Sequence, residues 1–82
     1  MISEQEIRNR LLTIVAEQLT VAKQEITDAS PLEKLGADSV DRIEIIMKIE
    51  DAFEIEVNDD EAERLVTFGD VVFYVTSLQK PE

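Results

Sequence analysis

At 82 residues the chain has room for one domain, and that domain has neither cysteine nor histidine. Disulfide staples, thiolate nucleophiles, imidazole bases and zinc held by sulfur or imidazole are all excluded. Nineteen Asp and Glu against eight Lys and Arg leave a formal net charge of −11, which repels polyphosphate backbones and anionic lipid and makes nucleic acid and membrane surfaces poor partners.

The first element opens at Ser3-Glu4-Gln5-Glu6, a capping box in which the Ser3 hydroxyl and Glu6 carboxylate satisfy donors that a first turn leaves unpaired. Ile7, Leu11, Ile14, Val15 and Leu19 then recur every three to four residues, while Arg8, Arg10, Glu17 and Gln18 fall mostly elsewhere, which predicts a helix over about Glu4 to Leu19. From Thr20 to Gly36 the periodicity fades. Val21, Ile26, Leu32 and Leu35 are isolated apolar anchors, Ser30-Pro31 marks a turn or the start of one helical turn, and a connection this long is usually functional.

Gly36 relieves the backbone where the chain reverses, and Asp38 or Ser39 suits the cap of a second helix running to about Phe53. Its core face is predicted as Ile45, Ile46, Ile49, Ala52 and Phe53, while Val40, Ile43 and Met47 extend the apolar arc until it borders Glu44 and Asp51, a part-exposed flank. Glu54-Ile55-Glu56-Val57 alternates like a strand but has no second strand to pair with, so it is expected as loop. Asn58 or Asp59 caps a short third helix, Asp60 to Leu65. Thr67 caps a fourth with Val71, Val72, Val75 and Leu78 inward; its valines disfavour a helix, but a lone strand would leave its backbone groups unpaired. Lys80-Pro81-Glu82 is expected as a frayed tail. The predicted fold is an all-α bundle of three main helices and a short one, with a long loop between the first and second.

Leu35-Gly36-Ala37-Asp38-Ser39-Val40-Asp41 resembles the phosphopantetheine attachment motif of acyl carrier proteins. The likeness extends through the opening helix, Glu25-Ile26-Thr27-Asp28, Glu50-Asp51-Ala52-Phe53 and Asp59-Asp60-Glu61-Ala62-Glu63, as in the bacterial, dissociated type of carrier in fatty-acid synthesis. Val40 departs from the pattern, standing where leucine is usual. The resemblance implies that a phosphopantetheinyl transferase moves 4'-phosphopantetheine from coenzyme A onto Ser39, with Asp38 and Gly36 forming the motif around it. The missing cysteine fits that expectation, because the working thiol would arrive with the arm and carry acyl chains as thioesters. A phosphodiester at a helix start also lies against unpaired amides and the positive end of the helix dipole.

Asp38 through Glu63 holds eleven carboxylates against only Arg42 and Lys48. A solvated face is the usual reason for such a run. Concentrated beside Val40 and Met47, however, it suits docking to basic patches on partner enzymes, with Val40, Asp41, Glu44, Met47, Glu50 and Asp51 as contacts. Ile43, Ile46, Ile49, Ala62 and Leu65 are expected to line a shelter for the acyl chain. Asp28, Asp59 and Asp60 lack EF-hand spacing, so no dedicated metal site is expected. A pair such as Asp38 and Asp41 is what any acidic helix face offers by chance, so no enzyme is expected. The competing interpretation is an acidic helical adaptor without prosthetic group, Ser39 being only a cap. The start Met1-Ile2-Ser3-Glu4 lacks signal-peptide features and no apolar run reaches transmembrane length, so the expectation is a single cytoplasmic domain over 1–82, a monomer with no membrane insertion.

Overall fold

The structure, a computed structural model, describes residues 2–79. The helices are α1 (Glu4–Leu19), α2 (Ser39–Phe53), α3 (Asp59–Arg64) and α4 (Phe68–Gln79), and among the described residues no strand forms. The all-α bundle with a long connection after the first helix is therefore what the chain adopts. No described helix is long and apolar enough to cross a membrane. The tail expected at Lys80-Pro81-Glu82 lies outside the described residues.

In α1 the Ser3 hydroxyl accepts from the Glu6 amide at 3.1 Å, one half of the expected capping box. The other half is replaced, because the Glu6 carboxylate takes the Arg10 guanidinium one turn on, at 2.8 Å. Ile7, Leu11, Val15 and Ala16 are buried, and Ile14 and Leu19 pack at the margin of the core.

Short 3-10 turns at Lys23–Glu25 and Glu33–Leu35 break the connection to α2, and Ile26 and Leu32 are buried as its anchors. Its backbone is stitched to the start of α4. The Leu32 amide donates to the Val66 carbonyl, the Phe68 amide to Ser30 and the Gly69 amide to Asp28, each at 2.9 Å. A Cβ on Gly69 would stand 2.7 Å from the Asp28 carbonyl oxygen, so only glycine admits the approach. On the other side the Asp28 carboxylate pairs with Arg8 of α1, which holds its pKa below the usual value.

The buried stripe of α2 is Ile45, Ile49 and Phe53, with Ile46 half-buried. Ala52 is exposed, contrary to expectation: it stands at the edge of the arc, about 60° around the helix from Ile49 and about 100° from Phe53. Glu54 closes α2 at φ 54°, its amide donating to the Glu50 carbonyl, and Glu54 to Val57 is loop as predicted. Helix α3 begins one residue earlier than predicted, because the Asn58 side chain accepts from the Glu61 amide at 2.8 Å, and it ends before Leu65, which is buried outside the helix. Helix α4 starts on a reciprocal cap, the Asp70 amide donating to the Thr67 hydroxyl and the Thr67 amide to the Asp70 carboxylate, both at 3.0 Å. That arrangement overrides the poor helix propensity of its valines together with the burial of Val71, Val72 and Val75. The stripe begins with Phe68, 1% exposed, which the sequence reading missed. It excludes Leu78, 49% exposed at the edge of the arc.

These faces meet in one core that takes residues from α1, α2, α4 and the two loops, with no buried polar or charged residue among those described. Helix α3 buries none of its own residues. Besides the Leu65 that follows it, it is tied to α4 by the Tyr74 hydroxyl, which donates to the Glu61 carboxylate at 2.9 Å. Burial, then that hydrogen bond, pushes the Tyr74 phenol up to about 12. The stability this contributes is full below the unfolded value of about 10 and is lost as the pH rises toward the folded one. Tyr74 is the only tyrosine and there is no tryptophan, so phenolate absorbance reads it alone. The native titration is expected well above pH 10 and to move down, without reaching 10, in Glu61→Gln.

Candidate functional site

The backbone fixes the serine from both sides. Gly36 closes the second 3-10 turn at φ 105°, a left-handed conformation that glycine adopts without strain, and its amide donates to the Glu33 carbonyl at 3.0 Å. Ala37 follows, 6% exposed, with its amide on the Leu32 carbonyl at 3.1 Å. Asp38 is then the N-cap of α2. Its carboxylate accepts from the Asp41 amide at 2.8 Å, and its own amide donates to the Asp41 carboxylate at 3.3 Å.

Ser39 is the first residue of α2, exposed, and its hydroxyl takes no part in the cap. The Asp41 and Arg42 amides are used by Asp38, the latter on its carbonyl at 3.0 Å. The amides of Ser39 and Val40 have no partner among the described residues, so two donors at the positive end of the helix remain free beside the serine. This is the fit that a serine-linked phosphodiester requires. Gly36 turns the chain before the serine, and the Asp38 carboxylate starts the helix that carries it.

Two hollows open beside Ser39. The larger, of about 590 Å³, lies between α2 and α3 and is lined by Ile43, Ile45, Ile46, Ala62 and Leu65, with Leu32 and Val57 from the loops and Arg42, Met47 and Glu50 among those that complete it. The smaller, of about 410 Å³, is lined by Glu33, Ala37, Asp38, Ser39, Arg42, Glu63 and Val66. Of the shelter residues named from sequence, Ile43, Ile46, Ala62 and Leu65 line the larger hollow. Ile49 does not: it is 1% exposed and turned into the core with Ile45 and Phe53.

On the outer flank Val40, Ile43 and Met47 are each 60% exposed. Glu44 and Asp51 are exposed beside them, whereas Asp41 and Glu50 are half-buried and already bonded. The Gln18 amide of α1 donates to Asp41 at 3.1 Å and to Glu44 at 2.9 Å, and its oxygen accepts from Lys48 at 2.6 Å. Gln18, then the Asp38 amide, holds the Asp41 carboxyl below its usual pKa. Glu50 accepts from the Val57 amide at 2.9 Å. Gln18 and Arg42 are the residues sequence reasoning missed, since a single polar residue on a helix carries no periodic signal of its partner.

The family described as the phosphopantetheine attachment site matches residues 9–75. The chain is also 42% identical over 78 residues, 94% of its length and 98% of the relative's, to a protein of Akkermansia muciniphila named acyl carrier protein.

The cap geometry separates two neighbouring substitutions. Asp38→Ala removes the carboxylate that accepts from the Asp41 amide, leaving its own backbone amide on Asp41, and is expected to cost about 1 kcal/mol in denaturant unfolding. Ser39→Ala, which removes a hydroxyl with no partner, is expected to cost only a few tenths of that on the scale of ordinary surface changes.

Proposed function

The chain belongs to the acyl carrier proteins, and on that premise we propose that Ser39 is the residue that bears the 4'-phosphopantetheine, within one carrier domain over residues 1–82. As a member of the family the chain carries acyl chains on phosphopantetheine and is not itself a catalyst, and its partners are the acyl chains and the enzymes of fatty-acid synthesis. The observation that carries the assignment is the exposed, unbonded Ser39 hydroxyl at the start of α2, beside two open amides. When bound, the arm supplies the thiol that this sequence lacks.

The chain's own residues then have three tasks. Asp38 and Gly36 hold the serine out from the core so that a phosphopantetheinyl transferase reaches it. Ile43, Ile46, Ala62 and Leu65 offer an apolar cleft within reach of the serine, and sheltering an acyl chain there saves about 0.8 kcal/mol for each methylene withdrawn from water. Val40, Met47, Glu44 and Asp51 present an apolar strip edged with negative charge, which suits enzymes with basic docking patches. Asp41 and Glu50 belong to that face chiefly through the bonds that shape it.

Incubation with coenzyme A and a phosphopantetheinyl transferase is expected to add one arm to the wild type, read as intact mass, and none to Ser39→Ala. An arm on the Ala variant would move the assignment to another residue.

Charge sets a second expectation. With −11 on 82 residues, screening over a Debye length of about 10 Å at 0.1 M relieves repulsion within the folded chain but weakens attraction to a basic enzyme. Across a salt series the unfolding midpoint should rise while affinity for a synthase or transferase falls. Glu44→Lys should bind more weakly with a shallower salt dependence, and an affinity indifferent to both changes would reduce the acidic flank to a solvated face.

A further inference from the structure

Arg42 lines both hollows beside Ser39, and among the described residues it is the only cationic side chain lining either. The other ionisable residues around them are Glu33, Asp38, Glu50, Asp59 and Glu63, so an anion introduced there meets negative charge on most sides. The guanidinium is part-buried and donates through Nη2 to the Ala62 carbonyl of α3 at 3.0 Å. Among the described residues, that bond and the one from Tyr74 to Glu61 are the side-chain hydrogen bonds joining α3 to other helices.

We propose that Arg42 binds the phosphodiester once the arm is on Ser39, leaving the Ala62 carbonyl, so that loading the arm unlatches α3 from α2 over the cleft. The proposal rests on attachment at Ser39. Arg42 is three residues after Ser39 and therefore on the same side of the helix. A guanidinium bonded to a phosphodiester joins opposite charges and can be bidentate, whereas its bond to Ala62 is a single one to an uncharged carbonyl. The exchange orphans nothing, because the Ala62 carbonyl also accepts from the Leu65 amide at 3.2 Å. The open amides of Ser39 and Val40 would share the same anion, and Arg42 would neutralise it amid the carboxylates. An unmodified chain thus keeps its cleft latched, and a loaded one has it ready for an acyl group.

The test is amide hydrogen exchange of α3 in the unmodified and arm-bearing protein, with attachment at Ser39 verified by peptide mass. In the wild type the α3 amides are expected to exchange about fivefold faster after loading, the equilibrium factor of one ordinary hydrogen bond. In Arg42→Gln they should be fast before loading and unchanged by it, with α1 and α4 protection reporting that the variant is folded. The phosphorus resonance of the loaded protein should shift between wild type and Arg42→Gln, and Arg42→Lys should restore part of that shift. Equal α3 exchange before and after loading in the wild type, an undiminished difference in Arg42→Gln, or an unmoved phosphorus resonance would overturn the proposal. A protein loaded on another residue would overturn the Ser39 assignment, and this inference with it.

Discussion

The reciprocal hydrogen bonds between Asp38 and Asp41 fix where α2 begins, and the functional geometry is measured from that point. A helix started one residue earlier or later would turn every following side chain by about 100°. Started at Ser39, it sends Ile45, Ile49 and Phe53 into the core and Val40, Ile43 and Met47 outward. The same register leaves the serine hydroxyl unbonded and two amides open. The cap is fixed in turn by buried Ala37 and left-handed Gly36, so a tight turn, a core contact and a capping box together decide the position of one side chain.

The cap works because the loop before it is anchored at a distance. Three backbone bonds from residues 28 to 32 reach the segment around the start of α4, and the Asp28 carboxylate reaches back to Arg8 on α1. The long connection therefore closes the core over Ile26 and Leu32. Its polar backbone is satisfied by partners far along the chain, which is the condition for burying a segment without regular structure. Helix α3 has a different standing. It buries nothing itself and is held by Leu65 and by bonds from Arg42 and Tyr74, so few ties secure this wall of the cleft.

The few cationic and amide groups near the acidic helix each have a place. Gln18 separates Asp41 from Glu44 and ties both to α1, with Lys48 on its other end. Arg42 faces the opposite way, toward the hollows. The charge is thus not a uniform coat. One flank of α2 is an organised negative and apolar strip, and the other holds a single positive group that shares both hollows with Ser39.

The sequence by itself determined the four helices to within a residue or so and narrowed each cap to one or two residues, because both depend on residues within one or two turns. Ser3, Asn58 and Thr67 cap as their residue types require, and the spacing of Val71, Val72 and Val75 outweighs their poor propensity once buried. What it misassigned lay at the edges of arcs. Ala52 and Leu78 are apolar at nearly the right angle, and Ile49 is apolar on the wrong side of the boundary between core and cleft. Periodicity gives the direction a side chain points on its own helix but not which neighbour covers that direction. Only the tertiary structure decided that Gly69 must be glycine against Asp28, that Gln18 shapes a helix it does not belong to, and that Arg42 lines two hollows. Each of these joins groups twenty or more residues apart or surfaces from several elements, and no local pattern in a chain encodes a distance that packing alone sets.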